Sequence, residues 1–333
     1  MPADAPALDH PSTSPVATRE SDYNINVTQL RLLHHYTMVT AKTLATHLDA
    51  EEVNSVNVVH IAFDHVYLLH SLLALAALHI SHMERSRAES RSAYLNLAEQ
   101  HYATALDSFR LLVSDIDEYN FKAILMFAGT LFPYSCALAM AVSSDLDHAF
   151  DIVLSNMVLT RKVRPMVDRF FDAMKSSELG RLIPKDVERI DWSIIKVPTY
   201  TELVQLRRFN AVIDQVYPPA IVDAYSNAIH LLEMVFQETT LSPHLPSITL
   251  LKIWMHFVTN HYVELLSEKQ PGALIIFAHY AVLLHRSDYY WFLQGTAEQI
   301  LKIADVLVPS EWKSWLDWPK EQIWNQQVPS SAG

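Results

Sequence analysis

The sequence predicts an all-α protein, a large multi-helix globular domain. Three observations carry this expectation. Apolar residues recur at three- and four-residue spacing through most of the chain, which is the period of one helix face. No strand-like alternation persists long enough to support a sheet. Glycine is scarce: only 5 occur in 333 residues, where average usage of about 7% would give roughly 23. Phosphate-cradling loops and many-turned β folds are therefore disfavoured.

The first residues, "MPADAPALDHPSTSPVATRE", are rich in Pro, Ser, Thr and Ala and lack the apolar run of a signal peptide. Residues 1–23 read as a disordered arm, 24–325 as one helical domain and 326–333 as a flexible tail. In "VTQLRLLHHYTMVTAKTLATHL" the positions Leu30, Leu33, Thr37, Ala41, Leu44 and Leu48 fall on one face, predicting a single helix of about five or six turns. "FDHVYLLHSLLALAALHISHM" is more uniformly apolar, as expected of a helix buried on most sides. "AYLNLAEQHYATALDSFRLLV" is amphipathic at helical spacing. Ala123 to Val142 then runs without a charge and meets the length of a membrane span. Gly129, Thr130, Pro133 and Ser135 interrupt its middle, and neither a basic cluster nor an aromatic girdle flanks it. A helix kinked at Pro133 inside a protein core is expected, with no membrane span.

From Met166 to Lys196 the pattern becomes shorter and more charged, with Gly180, Pro184 and Pro198 as breakers, so an internal connection is expected there. Thr199 and Glu202 stand three apart as a capping box that would open a helix at Thr199. Pro218 and Pro219 suit the first turn of another, and further helices follow Pro246, Pro271 and Thr296.

The formal charge of −12 argues against a surface built to neutralise nucleic-acid phosphates. Arg85, Arg87 and Arg91 form one small basic group, and Arg161, Lys162, Arg164 and Arg169 another, but Glu84, Glu89 and Asp168 dilute both, so they read as solvated faces. Cys136 is the only cysteine, which leaves no internal disulfide and no cysteine-based zinc cluster. Such usage fits an intracellular address.

Seventeen histidines are the most unusual feature of the composition. His60 and Asp64 share a helix face with His65 and His70 nearby, yet no metal-binding motif organises them. Neither a metal ion nor a cofactor is expected. No nucleophile elbow surrounds Ser135 or Cys136, and Asp145 and Asp147 read as a helix start whose carboxylates complement the dipole. Trp312, Trp315 and Trp318 at three-residue spacing form a hydrophobic clasp or border a cavity.

Ligand contact is expected instead from large rings and apolar side chains. On the uncharged helix these are Met126, Phe127, Phe132 and Tyr134. Further along they are Trp254, Phe277, Tyr280, Tyr289, Trp291 and Phe292.

The segments "LRLLHHYTMVTAKTLA", "AFDHVYLLHSLLALAALHIS", "YLNLAEQHYATALDSFR" and "PGALIIFAHYAVLLHRSDYYWFLQG…VPSEWKSWLDWPKEQI" resemble, in the same order, the carboxy-terminal domain of fungal zinc-cluster transcription factors, especially the sterol uptake control type. The resemblance covers about Val27 to Ile323 and is weaker over Met157 to Leu245. It implies an all-helical regulatory domain that, in the sterol-responsive members, encloses a sterol in a largely apolar pocket. The six-cysteine zinc cluster of that family is absent from this sequence, so direct DNA binding is not expected.

Two functions follow from a hydrophobic small-molecule site. One is a cofactor-free cyclase of a terpenoid, sterol or polyketide, of the Diels–Alderase type, acting by holding a flexible substrate in a near-attack shape. The alternative is a ligand-sensing transcriptional regulator working through a DNA-binding partner. The cyclase reading is the main expectation, with a cytoplasmic address; the regulator would be nuclear. A homodimer or a regulatory partner is compatible with either.

Overall fold

Why this chain forms helices and little else is plain in the computed structural model, which describes residues 26–325 apart from 46–47, 113–115, 142–145, 189, 193, 195 and 243–244. The expected arm, the tail and Asp145 lie outside the described residues. Among the described residues no strand occurs.

The amino-terminal helix is more broken than its periodicity suggests. Helix α1 (Val27–His35) passes through a π-helical turn (Tyr36–Thr40) into the short α2 (Ala41–Thr43). Asn26 caps α1 through Gln29 N at 3.1 Å. Leu48, expected on the same helix, instead opens α3 (Leu48–Glu52). A second π-helical turn (Val53–Asn57) joins α3 to α4 (Val58–Asp64).

Helix α5 (Val66–Met83) lies along α6 (Ala88–Leu112) and α7 (Phe121–Ala141). Both α5 and α7 are long and apolar enough to cross a membrane, and both bury most of that surface inside the protein. Helix α7 continues across Pro133. The carbonyl that a proline in a helix leaves without its amide partner belongs to the residue four positions earlier, here Gly129, which is exposed. Water can therefore satisfy it.

The expected connection around Met166 begins later than its charge pattern indicates. Helix α8 (Leu146–Lys175) runs through Pro165, and only beyond it come a 3₁₀ turn (Glu178–Leu182) and the short α9 (Lys185–Glu188). Asp147 sits in the first turn of α8, as expected, and accepts from Lys269 Nζ at 2.8 Å. The basic group on α8 has structural partners. Arg161 donates to Met255 O at 2.8 Å and to Asn260 Oδ1 at 2.7 Å, and Arg164 donates to His256 O at 3.2 Å.

The capping box expected at Thr199 does not form. Helix α10 (Val204–Val216) begins five residues later, because both ends of the proposed box have distant partners. Arg207 donates to Pro198 O at 2.6 Å and Thr199 O at 2.8 Å and pairs with the buried Glu233. Arg286 holds the Glu202 carboxylate through two contacts of 2.5 and 2.8 Å.

Helix α11 (Pro219–Leu241) starts on its proline as predicted, and α12 (Ile248–Phe257) follows Pro246 behind a Ser247 cap bonded to Leu250 N at 3.0 Å. An additional helix, α13 (Asn260–Ser267), follows the Thr259 cap. Helix α14 (Pro271–His285) buries every residue from Gly272 to Leu284. It packs on α11, α13, α15 (Thr296–Leu307) and α16 (Asp317–Trp324), which is why none of its faces is polar. The closing tryptophans act as a clasp: Trp312 and Trp315 set edges against Phe209, and Trp318 stacks on His279 at 5.5 Å.

Candidate functional site

The structure separates the aromatic candidates into core and cleft. Trp254 stacks on Tyr280 at 4.5 Å, and Phe277 stacks on both. The Trp254 indole donates to Ala228 O at 2.8 Å and the Tyr280 hydroxyl to Leu251 O at 2.9 Å. Each polar atom of this stack thus has a backbone partner. Phe127 stacks on Phe109 at 4.3 Å, and Tyr134 stacks on Tyr102 at 3.7 Å. Met126 is partly buried against the same core. Tyr289 is 41% exposed and donates to Pro246 O at 2.6 Å.

Trp291 and Phe292 differ, because they line a cleft of about 380 Å³, a size within the range of small-molecule sites. Its apolar walls come from Leu78 of α5, Ala137 and Met140 of α7, and the two rings. Its polar groups are Ser81, His82 and Arg85 at the end of α5, Arg91 of α6, and Gln294. Phe132 lies behind this wall, edge-on to Phe292 at 6.2 Å. The cleft is therefore two-faced, apolar toward the core and basic toward solvent.

The loop between α14 and α15 supplies one wall, and several contacts hold it. The Trp291 indole donates to Thr43 Oγ1 at 3.0 Å, and that hydroxyl donates to Thr40 O at 2.7 Å. The ring stacks on His79 at 4.5 Å, with His82 edge-on at 5.3 Å. Gly295 closes the loop with φ +84°, a backbone conformation that side chains resist. A Cβ there would stand 2.5 Å from Met140 Cε.

Burial, then the neighbouring His35 and His82, lowers the His79 pKa to about 4. Burial, then the Arg85 charge, lowers that of His82 to about 4. Both imidazoles are therefore neutral near pH 7. Arg85 Nη2 meets His82 Nδ1 at 2.8 Å, so that nitrogen accepts and the other carries the proton. Arg85 also reaches Gln294 Oε1 at 3.4 Å, and Arg91 reaches Ala141 O at 3.4 Å. Among the described residues neither arginine is paired with a carboxylate. The fixed positive charge of the cleft is thus available to an incoming group.

Of the ring candidates read from the sequence, Trp291 and Phe292 line this cleft, and most of its polar wall was not among the candidates. Arg85 and Arg91 were visible only as a diluted basic group. In the structure Arg87 pairs with Glu84 at 3.4 Å, whereas its two neighbours turn to the cleft. The histidines considered for metal binding are not assembled into one site: His70 meets His101 at 2.8 Å, while His65 packs against Tyr67 and Tyr119.

A different set of potential metal ligands is assembled at the far side of the same loop. His285 Nδ1 lies 3.3 Å from Glu298 Oε1 and 3.6 Å from Asp288 Oδ2. Burial, then the adjacent Glu298, raises the Asp288 pKa to about 7.

No family model matches the chain. It is 26% identical to a Zn(2)-C6 fungal-type transcription factor of Gibberella zeae, over 95% of this chain and 68% of that protein. It is also 26% identical to sterol uptake control protein 2 of Saccharomyces cerevisiae over 85% of this chain, and 24% identical to its Candida albicans namesake over 83%. The chain spans only 30% and 40% of those two proteins. The resemblance read from the helical segments is therefore borne out along most of the chain.

Proposed function

We propose that this chain is a ligand-responsive regulatory domain of the fungal transcription-factor type, taking an amphipathic small molecule into the cleft beside Trp291. The similarity to fungal regulators along most of the chain carries this reading. It favours regulation over the cyclase, which draws no support from the relatives, and it implies a nuclear rather than cytoplasmic address.

The chemistry of the cleft narrows the ligand. An apolar body such as a fused-ring terpenoid or sterol suits Leu78, Met140, Trp291 and Phe292, whose burial removes its surface from water. An anionic or acceptor-rich head suits Arg85 and Arg91, because hydrogen bonds to ionised groups are about twice as strong as neutral ones. Phe132 packs edge-on against Phe292, whereas Phe127, Tyr134, Trp254, Phe277 and Tyr280 belong to the packed core and Met126 lies against it. Tyr289 anchors the loop to Pro246.

Regulation follows from what the ligand would bridge. It would touch three helices and the α14–α15 loop together, so it would favour the packing in which all four are assembled. A surface that differs between the two packings is then available to a partner. Output would run through a DNA-binding module, in the same polypeptide or in a partner.

The test is a fusion of the chain to a heterologous DNA-binding module with a matching reporter in a fungal host. Reporter output should respond to added lipophilic metabolite extract and lose that response in Trp291→Ala. A response that is absent in wild type, or unchanged in the folded variant, would overturn the reading.

A further inference from the structure

We propose that His285, Asp288 and Glu298 form a binding site for a divalent first-row transition-metal ion, joining the end of α14 to the first turn of α15. No spacing motif marks these residues, Asp288 and Glu298 standing 3 and 13 positions after His285; the loop brings them together. One ligand atom from each lies within 4.8 Å of the others.

The separations have the dimensions of a coordination sphere. Ligand atoms about 2.1 Å from a metal ion lie roughly 3.0 Å apart at right angles and roughly 3.4 Å apart at the tetrahedral angle. The His285 nitrogen is 3.3 and 3.6 Å from its two carboxylate neighbours. His285 Nδ1 is closed to solvent and without a hydrogen-bond partner, as is the second oxygen of each carboxylate, Asp288 Oδ1 and Glu298 Oε2. Thr296 Oγ1, in the same turn of α15, is likewise buried and unpartnered. Buried polar atoms normally have partners, so an unpartnered imidazole nitrogen set between two carboxylates points to a cation site.

The surroundings favour positive charge. Two carboxylates and one imidazole leave a net negative site. Arg286, the residue after His285, is engaged by Glu202 and Gln322. One imidazole with two carboxylates suits zinc, manganese or iron(II) better than the all-oxygen sites of calcium and magnesium. The Gln294 side chain donates to Asp288 O at 3.2 Å, so an ion there would also fix the loop that carries Trp291.

The experiment uses chelator-stripped full-length protein titrated with Zn²⁺ by calorimetry and with Co²⁺ by visible absorption. One ion per chain is expected, with the Co²⁺ band displaced by Zn²⁺ and thermal stability raised by Zn²⁺. Asp288→Asn and Glu298→Gln, each nearly the same shape as the residue it replaces, should each weaken binding at least tenfold. If the three side chains instead only contact one another, neither ion binds there. Absence of the Co²⁺ band in wild type, or wild-type affinity in both variants, would overturn the proposal. Should either variant fail to fold, the other, read against the wild-type Co²⁺ band, decides the question.

Discussion

Replacing Gly295 and Gly129 with alanine should move stability in opposite directions, and the sizes follow from their surroundings. At Gly295 the left-handed backbone costs an alanine about 1–2 kcal/mol. The new Cβ would meet Met140 Cε at 2.5 Å, and turning that side chain off its rotamer costs about 0.5–1.5 kcal/mol. Reduced entropy of the unfolded chain offsets about 0.4–1 kcal/mol. The net destabilisation is about 2 kcal/mol, or roughly 4–8 °C in Tm on the scale of larger domains. Gly129 is exposed inside α7, with nothing within 4 Å of an added Cβ. Alanine there should stabilise by about 0.5–1 kcal/mol. Urea unfolding of the wild type and both variants gives the comparison. A neutral or stabilising Gly295→Ala would refute the strained loop closure and the position of Met140 beside it.

Three further outcomes are expected. Tyr280→Phe removes the bond to Leu251 O, so unfolding should become easier by about 1 kcal/mol while ligand affinity stays unchanged, which binding and urea titrations together check. Arg91→Ala should weaken binding of cholesteryl hemisuccinate, an anionic sterol ester, at least tenfold, because a charged hydrogen bond is worth about 1.5–3 kcal/mol; cholesterol binding should change less, and an equal loss for both probes would argue against a basic head site. His279 is buried with its pKa lowered to about 4 by burial, so the unfolded state binds the extra proton and stability should fall as pH drops from 6.5 toward 4. His279→Phe keeps a ring against Trp318 and should flatten that fall by up to about 3 kcal/mol relative to wild type; parallel profiles would contradict the assignment.

The helical architecture was legible because one apolar face repeating at the helical period is a local property. Pro219 and Pro271 likewise mark their helix starts through local geometry. Thr199 and Glu202 misled because their roles are set by Arg207 and Arg286, contacts that spacing cannot reveal. The same limit governs the site. Trp254 and Trp291 look alike in sequence, but the first is enclosed by Tyr280 and Phe277, whereas the second borders open space. Arg85 and Arg91 looked like part of a solvated face because Glu84 and Glu89 are interleaved with them; only the packing of α5, α6 and α7 turns them toward the cleft.

Native mass spectrometry of the chain purified from a fungal host tests the central claim most directly. The account predicts that wild type retains an amphipathic small molecule, recovered chemically unchanged, and that Trp291→Ala and Arg91→Ala release it while remaining folded. An unliganded wild type, full retention by both variants, or conversion of the retained molecule to a new product would contradict a ligand-responsive regulator built around this cleft.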